Sequence, residues 1–207
     1  HEAAILLRTA LMERPEHDGA VDLLEELAQD PEVFPIARET LEPLFRERAD
    51  TYRLVRLYES GASAQDMPEV RADLYRRAGE VLSEHNQDPE KVLALFLDSL
   101  KDYPFQEELL HQTLALTVEC DAFASAEASL RALIEAGLAP DEEVAIRELM
   151  ISSANDESET IRNECRSILD LKPDRLDIIE RLLTMAHAQQ DQQEVLELCR
   201  MKLDLPL

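Results

Sequence analysis

The chain has 207 residues, long enough for one or two globular domains or one repeat array, and 45% of them are hydrophobic, enough to build a core. Only 4 glycines are present and aromatic residues make up 4%, so the composition favours helices over sheets. The 21 basic and 45 acidic residues give a net charge of −24, which argues against binding to nucleic acids or anionic membranes.

Residue types that support catalysis or metal binding occur without the spacing that such chemistry needs. Cys120, Cys165 and Cys199 form no CxxC pair, and none of the five histidines belongs to an HExxH motif. No Gly-rich phosphate loop or nucleophile motif is present, and no apolar run is long enough to span a membrane. We therefore expect a cytoplasmic protein that is not an enzyme, with no catalytic residues, metal or cofactor. Because the chain opens directly in an apolar helix, we interpret it as a piece of a longer protein.

Periodic apolar residues predict about twelve helices joined by short turns. Their approximate ranges are 2–13, 17–28, 33–48, 51–60, 69–85, 89–102, 105–118, 122–136, 141–154, 157–171, 175–189 and 192–204. Pro43 falls inside the third helix and should kink or split it, because proline cannot donate a backbone hydrogen bond. Asp50 should cap the fourth helix and Gly61 should end it. Residues 61–67 are then the longest loop.

Residues 88–104 show most clearly how one helix of this chain is specified. Asp88 can accept a hydrogen bond at the helix start, and Pro89 suits the first helical position. Val92, Phe96 and Leu100 then recur every four residues on one face. The pattern predicts a helix that buries this face against its neighbours.

Further start and stop signals punctuate the second half of the chain. Gly137 should close the eighth helix. Capping boxes are predicted for Asp156 with Glu159 and for Asp191 with Glu194. The acidic clusters of the chain lie at helix starts, where carboxylates are stabilised by the helix dipole.

Apolar positions in alternate helices repeat along the chain. The second helices of successive pairs align Phe96, Leu130, Cys165 and Cys199 at separations of 34, 35 and 34 residues. Four residues earlier, the same alignment places Val92, Ala126, Ile161 and Val195. Leu54 and Tyr58 hold the two positions one repeat upstream. We expect all of these side chains, including the inert thiols of Cys165 and Cys199, to be buried where neighbouring pairs pack. Cys120 lies at a helix end and is expected to be more exposed, and a reactive thiol there is the alternative to an inert one.

A period near 34 with two helices per unit resembles the tetratricopeptide repeat family. Its second-helix pattern is matched by Val92, Phe96 and Pro104 and by Ile161, Cys165 and Pro173, and its first-helix pattern by Tyr75, Ala78-Gly79 and Leu82. Other units depart from it, with Thr113-Leu114 and Leu182-Leu183 replacing the small pair. The resemblance implies an all-α, right-handed α-solenoid of antiparallel helix pairs. Its units would be a degenerate pair at 1–34 and repeats at 35–67, 68–104, 105–140, 141–173 and 174–207.

The resemblance also implies a protein–protein interaction scaffold that holds a peptide or helix of a partner protein in its concave groove. The first-helix positions that would line this groove are Glu39, Arg46, Asp73, Arg76, Glu80, Glu108, His111, Glu143, Met150, Glu180, Thr184 and His187. This lining is mostly acidic and lacks the Lys, Arg and Asn set with which some family members bind acidic tails, so a basic partner is expected. The alternative is an architectural spacer within a longer repeat protein, whose groove binds nothing.

Overall fold

The computed structural model describes residues 1–85, 87–154 and 158–205, and all regular secondary structure in these ranges is α-helical. The chain divides into two compact units, residues 1–122 and 123–207. The N-terminal unit contains α1 (Glu2–Glu13), α2 (Asp18–Leu27), α3 (Phe34–Glu47), α4 (Thr51–Ala64), α5 (Pro68–Glu84), α6 (Pro89–Asp102) and α7 (Glu107–Glu119). The C-terminal unit contains α8 (Phe123–Glu135), α9 (Pro140–Ser153), α10 (Ser158–Leu171), α11 (Leu176–Gln189) and α12 (Gln192–Asp204). The predicted all-α fold is confirmed.

Within each unit, helices that follow one another in the chain pack side by side. In the N-terminal unit the contacts run from α2 through α7, and α1 packs against both α2 and α3. In the C-terminal unit they run from α8 through α12 in chain order. Each helix therefore buries its apolar face mainly against its neighbours in sequence, as in repeat proteins.

The predicted helix starts are set by local capping. The side chain of Asp88 accepts a hydrogen bond from the N–H of Lys91 at 3.1 Å, and Asp50 accepts one from Arg53 at 3.1 Å. Asp191 likewise accepts from the N–H of Glu194 at 3.0 Å. The carboxylate of Glu194 points to arginines instead of returning to the cap, so only half of that capping box forms. The box predicted at Asp156 lies outside the described residues.

Pro43 and Gly61 do not interrupt the third and fourth helices. Pro43 does not split α3, which continues to Glu47, and the alternative of a kink stays a prediction. Gly61 does not end α4, which continues to Ala64 and leaves a connection of only residues 65–67. Gly61 is buried because the ring of Phe34 occupies the space beside it: an added Cβ would lie 2.0 Å from Phe34 Cε2. The glycine permits close packing of α3 on α4 and does not act as a helix stop.

A second aromatic ring is seated against a glycine between α5 and α6. A Cβ added to Gly79 would lie 2.4 Å from Cε1 of Phe96, whose side chain is almost fully buried. The predicted stripe of Val92, Phe96 and Leu100 is buried throughout, as are Leu54 and Tyr58 one repeat upstream. These positions confirm the predicted core of the N-terminal unit.

The core of the C-terminal unit is aliphatic. Its buried cluster consists of Val144, Ile151, Cys165, Ile168, Leu169, Ile178, Ile179, Leu182 and Leu198. Leu130 and Ala126 are also fully buried, as predicted, whereas Ile161 and Val195 are half-buried. The prediction for Cys199 is wrong: this residue is exposed, and Leu198 is the α12 side chain that enters the core. Helix α12 is therefore rotated about its own axis, by about one residue position, from the orientation that the repeat alignment predicts.

Candidate partner-binding surface

Five of the predicted binding residues of the N-terminal unit lie on α3 and α5, the first helices of two pairs. Glu39 and Arg46 are seven residues apart on α3, and Asp73, Arg76 and Glu80 are spaced by three and four on α5, so each set shares one side of its helix. All five side chains are at least partly exposed. We call these five residues the first-helix face.

The charged groups of α5 pair with one another along the same helix. Arg76 Nη2 lies 2.5 Å from Asp73 Oδ1, and its other terminal nitrogen donates to Glu80. Arg77 Nε donates to the second oxygen of Asp73 at 2.7 Å. Burial alone would raise the pKa of Asp73, but the hydrogen bonds from Arg77 and Arg76 outweigh it and hold the pKa below its ordinary value. Asp73 is therefore a stable anion that orients two guanidinium groups.

A buried phenol lies beneath the α3 end of this surface. Arg46 Nε is 3.5 Å from Glu42 Oε1, and the hydroxyl of Tyr58 on α4 is buried close to this pair. Among the described residues, no group holds this hydroxyl in a hydrogen bond of ordinary geometry. Burial, reinforced by the carboxylate of Glu42, raises the pKa of Tyr58. Tyr58 is therefore a neutral phenol with unused hydrogen-bonding capacity.

The second helices of the same unit use their charges differently. Arg53 on α4 donates to Glu25 on α2 at 3.0 Å and also to Asp22, and Lys91 on α6 lies 3.1 Å from Glu59 on α4. These ion pairs join one helix pair to the next. The close pairs of the first-helix face, made by Arg46 and Arg76, stay within a single helix. Elsewhere on α5, Arg71 pairs with Asp102 on α6 at 2.5 Å, and Glu39 on α3 reaches Arg8 on α1 at 3.7 Å.

An open groove lies between α1 and α3 and encloses about 570 Å³. Its lining is Arg8, Thr9, Leu11, Met12, Pro15, Glu39, Thr40, Pro43, Leu44 and Glu47. Met12 is 78% exposed although its side chain is apolar. Glu39 belongs both to this groove and to the first-helix face, so the two features are continuous. We call it the α1–α3 groove.

The predicted residues of α9 do not form an open surface. Met150 is only 2% exposed and belongs to the core, so its prediction as a binding residue is corrected: its side chain is not available to a partner. Glu143 is largely buried and pairs with Arg147 at 2.6 Å. Arg147 also reaches Glu164 on α10 at 2.6 Å, and Arg131 on α8 reaches the same carboxylate at 3.2 Å.

Sequence reasoning missed two buried carboxylates in the C-terminal unit. Glu164 is 5% exposed, and Glu194 is 4% exposed beside Arg166 and Arg162. Each accepts from an arginine on the preceding second helix, 33 residues earlier for Arg131 and 28 for Arg166. The signal that could have found them is an arginine followed about one repeat later by a glutamate on an inward-facing position.

The remaining predicted residues are exposed on α7 and α11. Glu108 and His111 lie on the surface of α7. On α11, Glu180 pairs with Lys202 at 2.7 Å, and Thr184 donates to the carbonyl of Glu180. His187 lines a cavity of about 490 Å³ between α11 and α12. These exposed positions stay predictions.

Two of the three thiols have a pKa above the ordinary value. Burial, reinforced by Glu119 and Glu90, raises the pKa of Cys120, which lowers its thiolate fraction at neutral pH. Burial also raises the pKa of Cys165. Within the described ranges, no group of three or more His, Cys, Asp or Glu side chains is placed to hold a metal ion. The same ranges contain no helix with the length and apolar character needed to cross a bilayer.

Comparison with known proteins shows a distant similarity among solved structures. No protein-family model matches the chain, and no curated protein matches it. Among solved structures, the chain is similar to MamA 41-end from Desulfovibrio magneticus RS-1, with 15% sequence identity over 81% of this chain and 92% of that chain. The TM-score of this superposition is 0.41, so we draw nothing further about this chain from it.

Proposed function

We propose that this chain is a non-catalytic protein-interaction scaffold that binds a peptide or helix of a partner protein across the first-helix face. The proposal rests on how the unit distributes its ion pairs. On the second helices they join successive helix pairs and so help to hold the fold. On the first-helix face the close ion pairs remain within one helix, and Glu39 reaches Arg8 on α1 only at 3.7 Å.

Ion pairs within one helix stabilise a protein only weakly when they are exposed. Pairs spaced by three or four residues contribute about 0.3–0.5 kcal/mol each. Charged groups of a partner can therefore replace the present ion-pair partners of Arg46, Arg76 or Glu80 with little loss in the free energy of unfolding. Replacing the pairs between Arg53 and α2 would instead remove a connection between two helix pairs.

The charge of the chain favours a basic partner. The net charge is −24, and two carboxylates of the first-helix face, Glu39 and Glu80, have side chains that are 75% and 43% exposed. Such a surface speeds the approach of Lys- and Arg-bearing segments, and this attraction weakens as salt rises. The same charge disfavours nucleic acids, whose phosphates require a basic surface.

Site-specific photo-crosslinking tests the proposal in native cells. A photoreactive phenylalanine analogue replaces Glu80 on α5, and the matched control carries it at Asp98, which is exposed on the second helix α6. The expected result is a defined protein adduct at Glu80 and none at Asp98. Mass spectrometry of the adduct then identifies the partner segment, whose content of Lys and Arg is the second readout.

Charge reversal distinguishes a binding surface from a passive one. With the photoreactive residue kept at position 80, Glu39→Lys should strongly reduce the adduct, whereas Glu90→Lys on α6 should leave it. The absence of adducts at every first-helix position would favour the alternative, an architectural spacer whose first-helix face binds nothing. Equal adducts at Glu80 and Asp98 would also contradict the proposed surface.

A further inference from the structure

The α1–α3 groove combines exposed apolar side chains with an acidic rim. Met12 is 78% exposed, and Leu11, Leu44, Pro15 and Pro43 supply further apolar lining. A methionine side chain is flexible and polarisable, which suits it to packing against varied apolar groups. A large apolar side chain left in water at a groove marks a surface that gains free energy when covered.

The rim of this groove carries a specific charge pattern. Glu39 and Glu47 lie on α3 at its edge, and the Glu39 side chain is 75% exposed. The cation beside them is Arg8, whose nearest contact with Glu39 is 3.7 Å, too long for a strong hydrogen bond. Pro43 has no N–H to donate to the carbonyl oxygen of Glu39, so a backbone acceptor adds to the two carboxylates.

We propose that the α1–α3 groove receives one apolar side chain of a partner segment whose flanking residues are lysine or arginine. The apolar side chain covers Met12 and Leu44, and the flanking cations meet Glu39 and Glu47. The inference deepens the proposed function and rests on it, because it assigns the chemistry of the partner at one end of the first-helix face.

A second copy of this chain is a poorer occupant than a basic segment. Two copies carry −24 each, and bringing one acidic rim against another like-charged surface is unfavourable. The groove volume of about 570 Å³ falls in the range of about 300–1,000 Å³ that is typical of sites for small ligands and side-chain anchors. The groove therefore fits an anchoring residue and its neighbours better than a broad surface.

Three synthetic peptides test the inference by fluorescence anisotropy on the whole chain. The first is a short amphipathic peptide with two leucines one helical turn apart and four lysines. The second replaces the leucines with serine, and the third replaces the lysines with glutamate. We expect the first peptide to bind about tenfold or more tightly than the second, since one buried leucine accounts for a factor of this size. We expect no measurable binding of the third.

Two variants locate the binding. Thr9 is exposed on the groove wall and its hydroxyl bonds only to the preceding turn, so Thr9→Trp should fold and obstruct the groove. Met12→Ser removes apolar lining without adding charge. Both should reduce binding of the leucine peptide about tenfold or more. The matched controls are Ser63→Trp, at an exposed serine on α4 with the same kind of hydroxyl bond, and Met67→Ser, at a methionine that is 61% exposed.

Each outcome has a definite meaning. Equal binding of the leucine and serine peptides would overturn the apolar anchor and leave the proposed function standing on charge alone. Binding of none of the three would overturn the anchor and count against the proposed function as well. Equal loss in the controls and the groove variants would place the peptide elsewhere. A dimer in light scattering that Met12→Ser dissociates would assign the groove to a second copy and overturn the proposal.

Discussion

The two units of the chain fill their interiors with different residues. All four tyrosines lie in residues 1–122, as do four of the five phenylalanines. Phe34 and Phe96 are seated against Gly61 and Gly79. The C-terminal unit has Phe123 as its one aromatic residue and buries Glu164 and Glu194 between arginines instead.

This difference shows two ways to hold neighbouring helices together. A ring against a glycine brings two helix backbones close and buries a large apolar area. A buried glutamate between arginines ties helices by charge, but desolvation offsets much of the attraction. We therefore expect the N-terminal unit to respond most to loss of volume and the C-terminal unit to loss of charge.

The largest effect is expected from Phe96→Ala. Phe96 is almost fully buried against Gly79, so truncation removes its packing and leaves a cavity. The free energy of unfolding should fall by about 3–5 kcal/mol. Tyrosine fluorescence during urea unfolding is a selective measurement because every tyrosine of the chain lies in this unit. Phe105→Ala is the control: its ring is 57% exposed, and a loss above about 1 kcal/mol there would undermine the comparison.

In the C-terminal unit, the corresponding loss of stability is expected from Glu164→Gln. The substitution keeps the shape of the side chain but leaves Arg147 and Arg131 without their shared anion. Because Arg131 is 44% exposed and can regain water, we expect a loss of about 1–3 kcal/mol. Hydrogen exchange of peptides from α8 to α10 measures it. Glu127→Gln removes the exposed partner of Arg131 and should cost under about 0.5 kcal/mol; equal losses would remove the special role of the buried carboxylate.

Tyr58→Phe should change stability in the opposite direction. Its hydroxyl is buried and unpaired among the described residues, and an unsatisfied buried polar group is unfavourable. Removing it should raise the free energy of unfolding by about 1 kcal/mol. Urea unfolding followed by circular dichroism gives the value, with Tyr75→Phe as the matched control at a half-buried tyrosine. A destabilised Tyr58→Phe protein would mean that the hydroxyl has a partner in solution.

The smallest effect concerns acid. Because the pKa of Asp73 is lowered in the folded state, its stabilising contribution is complete above the unfolded value near 3.9 and is lost as pH falls through the folded value. Asp73→Asn should therefore lose less stability than the parent chain between about pH 5 and about pH 3. Asp98→Asn should behave oppositely: although the residue as a whole is exposed, partial desolvation of its carboxyl group, reinforced by Asp102, raises the pKa of Asp98. Parallel acid profiles for all three proteins would contradict both signs.

The sequence predicted what local interactions determine. Asp50, Asp88 and Asp191 cap the helices that their spacing assigned to them, because a cap needs only the next three residues. The buried stripe of Val92 and Phe96 followed equally from periodicity. These features do not depend on which distant helix lies opposite.

Features set by distant contacts were not predictable in this way. Gly61 carries the signal of a helix stop, yet the ring of Phe34, 27 residues earlier, uses it as packing space. Cys199 matched the repeat spacing, but α12 turns Leu198 inward. Glu164 looks like a surface residue until arginines from two other helices converge on it. The candidate residues on α3 and α5 are at least partly exposed and stay predictions, whereas Met150 is buried in the core.

The ion pairs between second helices should make the stiffness of each unit depend on the salt concentration. Lys91 and Glu59 have side chains that are 38% and 33% exposed, so ions from the medium reach them. In dilute buffer these ion pairs resist relative movement of successive helix pairs, and in concentrated salt they are screened and resist it less. The bending compliance of the N-terminal unit should therefore vary with the ionic medium while its helices stay intact.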